Sequence, residues 1–567
     1  MADQSQDMRI LVVGAGPTGL MMASELLRHG VKCRIIDKSA QPSDKTKALA
    51  LHSRTLEIFE NTGIVAEILE RGAHCHGASL YHKGQRIAHI VVDEVDSPYP
   101  MIIMLPQPET EEILHKHLQK LGGQVEREVE LVNVKENGEG VTAVLRQKDG
   151  KEETCKYDWI VGCDGAHSTV RKALNLAFDG APYEELFTLA DAKVTGGLAQ
   201  DEVSTHFNED GVLVFFPYRD GRFRVTADVS PDETSDPTPT EAEFQRLLDK
   251  RGPGGLKIED IRWSGNFRIH RRSVKTYRKG NVFLCGDAAH IHSPVGGQGM
   301  NTGLQDAYNL AWKLALVVKG AAGPSLLDSY NEERHPIGQN VLKGTDIATR
   351  VATLRHPLAK KIRNHVMAFL SEQEVIQHRL NKVGTMIAVN YRHSPIVGES
   401  REFPDMQIKA SPDSERPNLP AWMEFGQGPL PGDRAPDTVL TTKEGTSTRL
   451  FLALRGTAHN LLLFDGKPTE AGYRNFEEIS QSAAKVYGDL IKMHMIVAGD
   501  KAPALNNFIG DVWLDEDLSA HRKYAATAES LYLIRPDGYI GFRSQPAKLK
   551  YVLDHLNMIL AAQLVSI

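Results

Sequence analysis

A chain of 567 residues, 41% hydrophobic and 25% charged, has apolar side chains enough for two or three cored domains. Its formal net charge of −7 offers no basic face of the kind that binds nucleic acid, and neither a nucleic-acid nor a membrane partner is expected. The opening residues show no basic and apolar leader, the most apolar stretch, Leu304 to Val318, is short and broken by Asp306 and Lys313, and the five cysteines form no Cys-x-x-Cys, so a cytoplasmic protein without a disulfide framework is expected.

The first element in chain order is an apolar run, Ile10 to Val13, that reads as a buried parallel strand and is followed by a helix-forming stretch from Leu20 to Leu27. Between them stands Gly14-Ala15-Gly16-Pro17-Thr18-Gly19. Gly14 permits the tight bend, Gly16 lets the backbone approach a pyrophosphate, and Gly19 lets helix and strand pack closely. A second strand, Lys32 to Ile36, ends in Asp37, at the offset of roughly twenty residues where a carboxylate accepts ribose hydroxyls. From Lys45 to Glu57 the chain enters a helix, with Lys47 and Arg54 placed where cations either clamp phosphate or face solvent.

Short strands are expected at Ala78 to His82, Arg86 to Val92 and Met101 to Leu105, then a helix from Gln107 through Leu121 with acids in its first turn. Val129 to Val134, Val141 to Gln147 and Glu153 to Val161 read as further strands, the last delivering Asp164-Gly165-Ala166-His167-Ser168. Leu186 to Trp263 is rich in strand pattern, and Val212 to Pro217 joins Phe223 to Val229 through the hairpin dipeptide Asp220-Gly221.

Asn281 to Cys285 is a short buried strand leading to Gly286-Asp287-Ala288-Ala289-His290, and the glycine-dense loop Pro294 to Asn301 precedes a long helix, Thr302 to Val318. Seven prolines between Arg401 and Asp437 mark a linker. Beyond it a β-β-α-β…β-β-α pattern, with Leu450 to Ala453 as its first strand and Ala547 to Leu564 as its last helix, marks a separate domain. His74-Cys75-His76 has no second ligand pair at zinc spacing, so no metal is expected.

Three glycine-bearing motifs, about 120 to 150 residues apart, describe a chain that leaves a dinucleotide twice and returns to it, as a large FAD requires. The expected fold class is α/β: a Rossmann-like FAD-binding domain with an inserted antiparallel-sheet substrate domain, and a separate C-terminal α/β domain. In residue numbers this gives 1–182 for the FAD-binding domain, with 77–107 contributing to the substrate layer, and 183–275 for the substrate sheet. The FAD-binding domain and helices continue over 276–400, a linker covers 401–430, and 431–567 is the C-terminal domain.

Together with Gln107 and Tyr330-Asn331-Glu332-Glu333-Arg334-His335-Pro336, these motifs resemble the single-component FAD-dependent aromatic hydroxylases, the group of para-hydroxybenzoate hydroxylase and phenol hydroxylase, over about Arg9 to Pro395. The resemblance implies that Gly14, Gly16, Gly19 and Asp37 take the ADP moiety, with Lys47 and Arg54 near phosphate. It implies that Gln107 contacts the ribityl region, that Asp164 and Gly165 serve FAD and the nicotinamide cofactor, and that Gly286 and Asp287 hold the ribityl chain. Pro294, Gly296, Gly299, Met300 and Asn301 would lie against the isoalloxazine, with the Pro294 carbonyl near the reacting hydroxyl. The C-terminal part resembles the thioredoxin-like appendage of the phenol and polyketide hydroxylase branches, but it contains no cysteine, which removes redox exchange and leaves a structural or dimer-contact role. Two positions depart from the family: Lys47 stands where Arg is usual, and Leu49 where the phenol hydroxylase branch has Asp.

The implied chemistry is reduction of FAD by NADPH or NADH, addition of O₂ to give a flavin C4a-hydroperoxide, and hydroxylation of a phenolic or polycyclic aromatic ring. Phe215, Arg219 and Phe223 are candidates to face substrate, and Tyr218 and His292 are candidates for the base. A Baeyer–Villiger oxidation or an epoxidation shares the same motifs, and a non-oxygenase FAD-binding protein is the alternative of another class. The resemblance leaves room for a homodimer.

Overall fold

The computed structural model of the chain describes residues 8–560 except 45, 93–94, 139, 231–232, 235–237, 295, 355, 372, 404–416 and 467–472. It divides into two compact units. The first comprises Met1–Leu27, Lys32–Tyr308 and Arg334–Ala388, the second Arg28–Val31, Asn309–Glu333 and Val389–Ile567.

At the centre of the first unit lies a six-stranded sheet in the order Arg278–Lys279, Val282–Leu284, Trp159–Gly162, Ile10–Val13, Arg34–Asp37, Val125–Arg127. All neighbours after the first pair run parallel. Ile10–Val13 and Trp159–Gly162 are buried along their whole length, as a sheet covered on both faces demands. The single strand expected at Glu153 to Val161 is in fact two. Glu152–Tyr157 closes an antiparallel meander, and after Asp158 the chain turns into the parallel sheet as Trp159–Gly162.

The second layer of this unit is an eight-stranded sheet in the order His290–Ile291, Lys257–Ser273, Asp179–Thr195, Arg222–Val229, Gly211–Tyr218, Glu202–Asn208, Gly77–His82, Gln85–Val91. Asp220 and Gly221 both take positive φ, 63° and 68°, and turn Gly211–Tyr218 back onto Arg222–Val229. The helix Glu241–Arg251, opened by a Thr240/Glu243 capping box, buries Phe244, Leu247 and Leu248 against one face of the sheet.

The second unit is built on an eight-stranded sheet whose inner order is Ile540–Gln545, Ser530–Ile534, His459–Phe464, Ile491–Ala498, with Ser530–Ile534 antiparallel to both neighbours and the last pair parallel. That is the strand order and direction of a thioredoxin-like unit. It begins earlier than expected. Gly398–Arg401 pairs with Ile540–Gln545, and Leu419–Gln427 is a helix that buries Phe425, so much of the expected 401–430 linker is structure; residues 404–416 lie outside the described residues. Leu450–Ala453, expected as a strand, is one helical turn that buries Leu450. Within this unit Arg535 donates to both carboxylate oxygens of Glu333, at 2.6 and 2.9 Å, and Lys313 donates to Glu333 at 2.7 Å, all fully buried. Among the described residues no helix is long and apolar enough to cross a membrane.

Candidate active site

Three adjacent parallel strands end at the same edge of the six-stranded sheet, and each hands the chain to one of the three motifs: Val13 to Gly14, Gly162 to Asp164 and Leu284 to Gly286. All three motifs line one cavity of about 1180 Å³, which continues to the face of the eight-stranded sheet. A small-molecule pocket is roughly 300–1,000 Å³. The cavity exceeds that range, and its lining runs from the Gly14 loop to Phe216 and Trp263 on the sheet.

The glycine loop is shaped by contacts its Cα atoms could not make with side chains. Gly14 has φ +99° and presses against the Cys163 carbonyl, and a Cβ on Gly19 would overlap the Gly14 carbonyl oxygen. Gly16 is different: a Cβ there would meet nothing, because it faces the cavity. Asp37 accepts the Ala15 and Ser39 N–H groups, each at 2.8 Å, so it braces the loop as well as lining the cavity. Lys47 also lines this end, near Glu111 and Asp287 in the electrostatic field.

Gln107 accepts from Ala48 N–H at 3.2 Å and donates to Glu111 at 2.8 Å. Asp164 accepts the Thr169 N–H at 2.6 Å and the Val170 N–H at 3.1 Å through Oδ2, while its buried Oδ1 has no partner. Burial raises the carboxyl pKa of Asp164, and burial likewise raises that of Asp287, which opens onto the cavity. Gly165 and Gly286 line the cavity with them. An orphaned acceptor and an open glycine cradle suit a ligand rich in hydroxyls and phosphate, and the residues present therefore fit FAD.

The long helix begins at Gln298, earlier than expected, so Gly299, Met300 and Asn301 belong to its first turn, where N–H groups lack helical partners. Gly296, Gly299 and Met300 line the cavity, but Asn301 does not. Its side chain accepts the His52 N–H at 3.0 Å and donates to the carbonyls of Ala50 and Gly297 at 2.8 and 2.9 Å. Asn301 thus staples the loop in place. Pro294 lines the cavity with its carbonyl already accepting the Gly297 N–H at 2.9 Å; Val295 lies outside the described residues.

His292 also lines the cavity. Its Nδ1 lies 2.9 Å from the Ser293 carbonyl, which can only accept, so Nδ1 carries the proton and the buried Nε2, without a partner, presents a lone pair. Burial pushes the His292 pKa down to about 4.

Besides Gly19 and Asn301, five expected residues are not brought to the cavity. Phe215 and Phe223 sit on the other face of their strands, in the core formed with Phe244, Leu247 and Leu248. Tyr218 packs with Leu49, Cys75 and Met104, and burial drives its phenol pKa upward, away from the range of a base. Arg219 donates to the Glu70 carbonyl at 3.2 Å. Arg54 turns back along its own helix onto Glu57 at 2.8 Å, and both are buried. The cavity instead receives Phe216 and Arg224, one residue along from Phe215 and Phe223, together with Trp263, Glu111 and Arg127. Strand alternation identified the pairs of faces but not which face was inward. Glu111 was legible as the residue four after Gln107 on one helix face.

This architecture defines an α/β flavoprotein that closes a dinucleotide site against an antiparallel substrate sheet. The chain belongs to the FAD binding domain family, which it matches over residues 7–345. It is 33% identical over 547 residues, 95% of this chain and 94% of the relative, to pentachlorophenol 4-monooxygenase of Sphingobium chlorophenolicum. It is 32% identical to 6-methylpretetramide 4-monooxygenase of Streptomyces rimosus, covering 96% and 92%. Among solved structures it resembles anhydrotetracycline hydroxylase from Streptomyces rimosus, with a TM-score of 0.73, 26% identity and coverage of 97% and 98%. The protein is an FAD-dependent aromatic monooxygenase.

Proposed function

We propose that this enzyme uses NADPH or NADH and O₂ to hydroxylate a phenolic or polycyclic aromatic substrate held against the eight-stranded sheet. The observation that supports this most is the continuity of the cavity from the Gly14 loop to Phe216 and Trp263. The named relatives act on pentachlorophenol and on 6-methylpretetramide, and apolar and aromatic side chains, Phe187, Phe216 and Trp263 among them, line this chain's cavity. Among the described residues no cysteine is in a disulfide, which suits a reducing cytoplasm. The cysteine-free thioredoxin-like unit is assigned a structural role, with a homodimer contact as its expected use.

Bound FAD supplies hydride acceptance from the nicotinamide and transfer of reducing equivalents to O₂. Gly14, Gly16 and Asp37 would hold its ADP end, with Lys47 as a point charge for phosphate. Gln107, Asp164, Gly165, Gly286 and Asp287 would hold its middle. The Gly299 and Met300 N–H groups, at a helix N-terminus, favour negative charge beside them. The His292 Nε2 lone pair would accept a hydrogen bond from a substrate hydroxyl, while burial keeps the ring neutral and too weakly basic to hold the proton. Leu49 and Phe216 exclude water where the branch has a carboxylate.

The test is a panel of phenols and polycyclic phenols with purified yellow enzyme, following NADPH oxidation and product mass under ¹⁸O₂. One labelled oxygen on an intact ring is expected. Label in a ring-expanded lactone or an epoxide would replace hydroxylation by the neighbouring reactions, and protein that takes up no FAD would end the proposal.

A further inference from the structure

The first unit leaves one helical surface both apolar and basic. The helices Pro357–Ser371 and Glu374–Gly384 pack on each other and on the strand Gln85–Val91. Leu358, Ile362, Val366 and Phe369 are 61, 56, 47 and 61% exposed. At about 100° per residue these four fall within an arc of about 80°. Met367 stands opposite that arc and lines the cavity, so one helix has a cavity face and an apolar outer face. On the second helix Val375 and Val383 are 70 and 60% exposed, and His378 and Arg379 are exposed beside them, with Lys382 half-exposed.

Residues 357–384 hold five basic and two acidic side chains in a chain whose net charge is −7. Lys360 and Arg363 on the first helix are engaged, donating to the Glu209 carbonyl and lying over the Phe207 ring. Among the described side chains the outward charges of this surface are those of Arg379 and Lys382, with Glu374 exposed at the start of the second helix. An apolar stripe with cations alongside is the pattern of a helix lying in a bilayer interface.

We propose that these two helices dock the enzyme on an anionic lipid surface, as a peripheral contact and not a span. The chain-wide charge, which led to the expectation of no membrane partner, averages this local face away. Docking would turn the cavity wall that carries Met367 toward a phase in which apolar aromatic molecules concentrate.

The test is co-sedimentation of the FAD-loaded full chain with large vesicles of phosphatidylcholine alone or mixed with phosphatidylglycerol, at rising salt. Binding to the mixed vesicles, weakening with salt, is expected. Phe369→Glu and the pair Arg379→Glu and Lys382→Glu should each lower partitioning by roughly tenfold or more, with Tm and flavin absorbance unchanged. Protein that stays in solution with both vesicle types overturns the proposal. So does wild-type protein that light scattering shows to be a dimer dissociated by Phe369→Glu.

Discussion

Arg224 forks across Asp191, with Nε 2.9 Å from Oδ1 and Nη2 3.0 Å from Oδ2, and the same Nη2 donates to the Thr46 carbonyl at 2.8 Å. Both side chains are buried. The ion pair couples two strands of the substrate sheet to the segment that carries Lys47. Removing one partner of a buried pair leaves the other charged and dry, so Asp191→Ala should destabilise the protein by about 3–5 kcal/mol in urea unfolding. Arg224→Lys keeps the charge but not the fork. It should weaken FAD binding in flavin titrations by more than it lowers stability.

The two faces of one strand separate folding from specificity. Phe215→Ala empties the core against Glu241–Arg251 and should cost about 3–5 kcal/mol while leaving the substrate profile unchanged. Phe216→Ala removes a cavity wall. It should shift KM across substrates of different size and raise uncoupled H₂O₂ release, with a smaller change in stability.

Glycine substitutions in the first loop should part in the same way. Gly16→Val places its side chain in open cavity, so the variant should keep its Tm without cofactor and fail to take up FAD. Gly19→Val drives helix against loop and should fold poorly with or without FAD. Asp287→Ala should purify largely colourless; a fully flavinated Asp287→Ala enzyme would remove Asp287 from the site.

His52 and His292 are buried neutral, and burial lowers the pKa of each to about 4. Unfolded histidine titrates near 6.5, so between that value and about 4 the unfolded chain binds more protons than the native one. Stability should therefore fall as pH is lowered through this window, by on the order of 2–3 kcal/mol per group, and level off below it. His292→Gln should flatten the slope of unfolding free energy against pH. An unchanged slope in that variant would mean that His292 titrates in the native protein as it does in the unfolded chain.

The motif Tyr330 to Pro336 contains the hub of a buried charge network. Glu333 is held well below the usual carboxylate range by Arg535 and Lys313 against the opposing effect of burial, and burial lowers the Lys313 pKa to about 8. Glu333→Gln strands Lys313 and leaves Arg535 with Asp537 alone, and should cost about 3–5 kcal/mol. Limited proteolysis should then cut first within the thioredoxin-like unit.

The parallel strands and the three loops that follow them were readable in the sequence because their requirements are local. A continuous apolar run specifies a strand covered on both faces, and a positive φ, as at Gly14, Asp220 or Gly221, favours particular residues wherever the chain goes afterwards. Clustering of the motifs into one cavity followed from strand order, and a family of such motifs is specific enough to imply it.

Other features were decided only by packing. Period-2 alternation makes Phe215 and Phe216 equally plausible as cavity residues, and the choice was settled by the helix Glu241–Arg251 covering one side. Arg54 looked like a phosphate clamp until Glu57, three residues on, took its charge. The proline-rich segment read as a linker, yet Gly398–Arg401 has a partner strand more than a hundred residues away. Sequence alone determined which backbone conformations and which loop chemistry this chain would have, since each residue's own sterics carry that information. Only the tertiary structure decided which side chains line the cavity, because inward and outward faces of a strand differ by nothing but what lies against them.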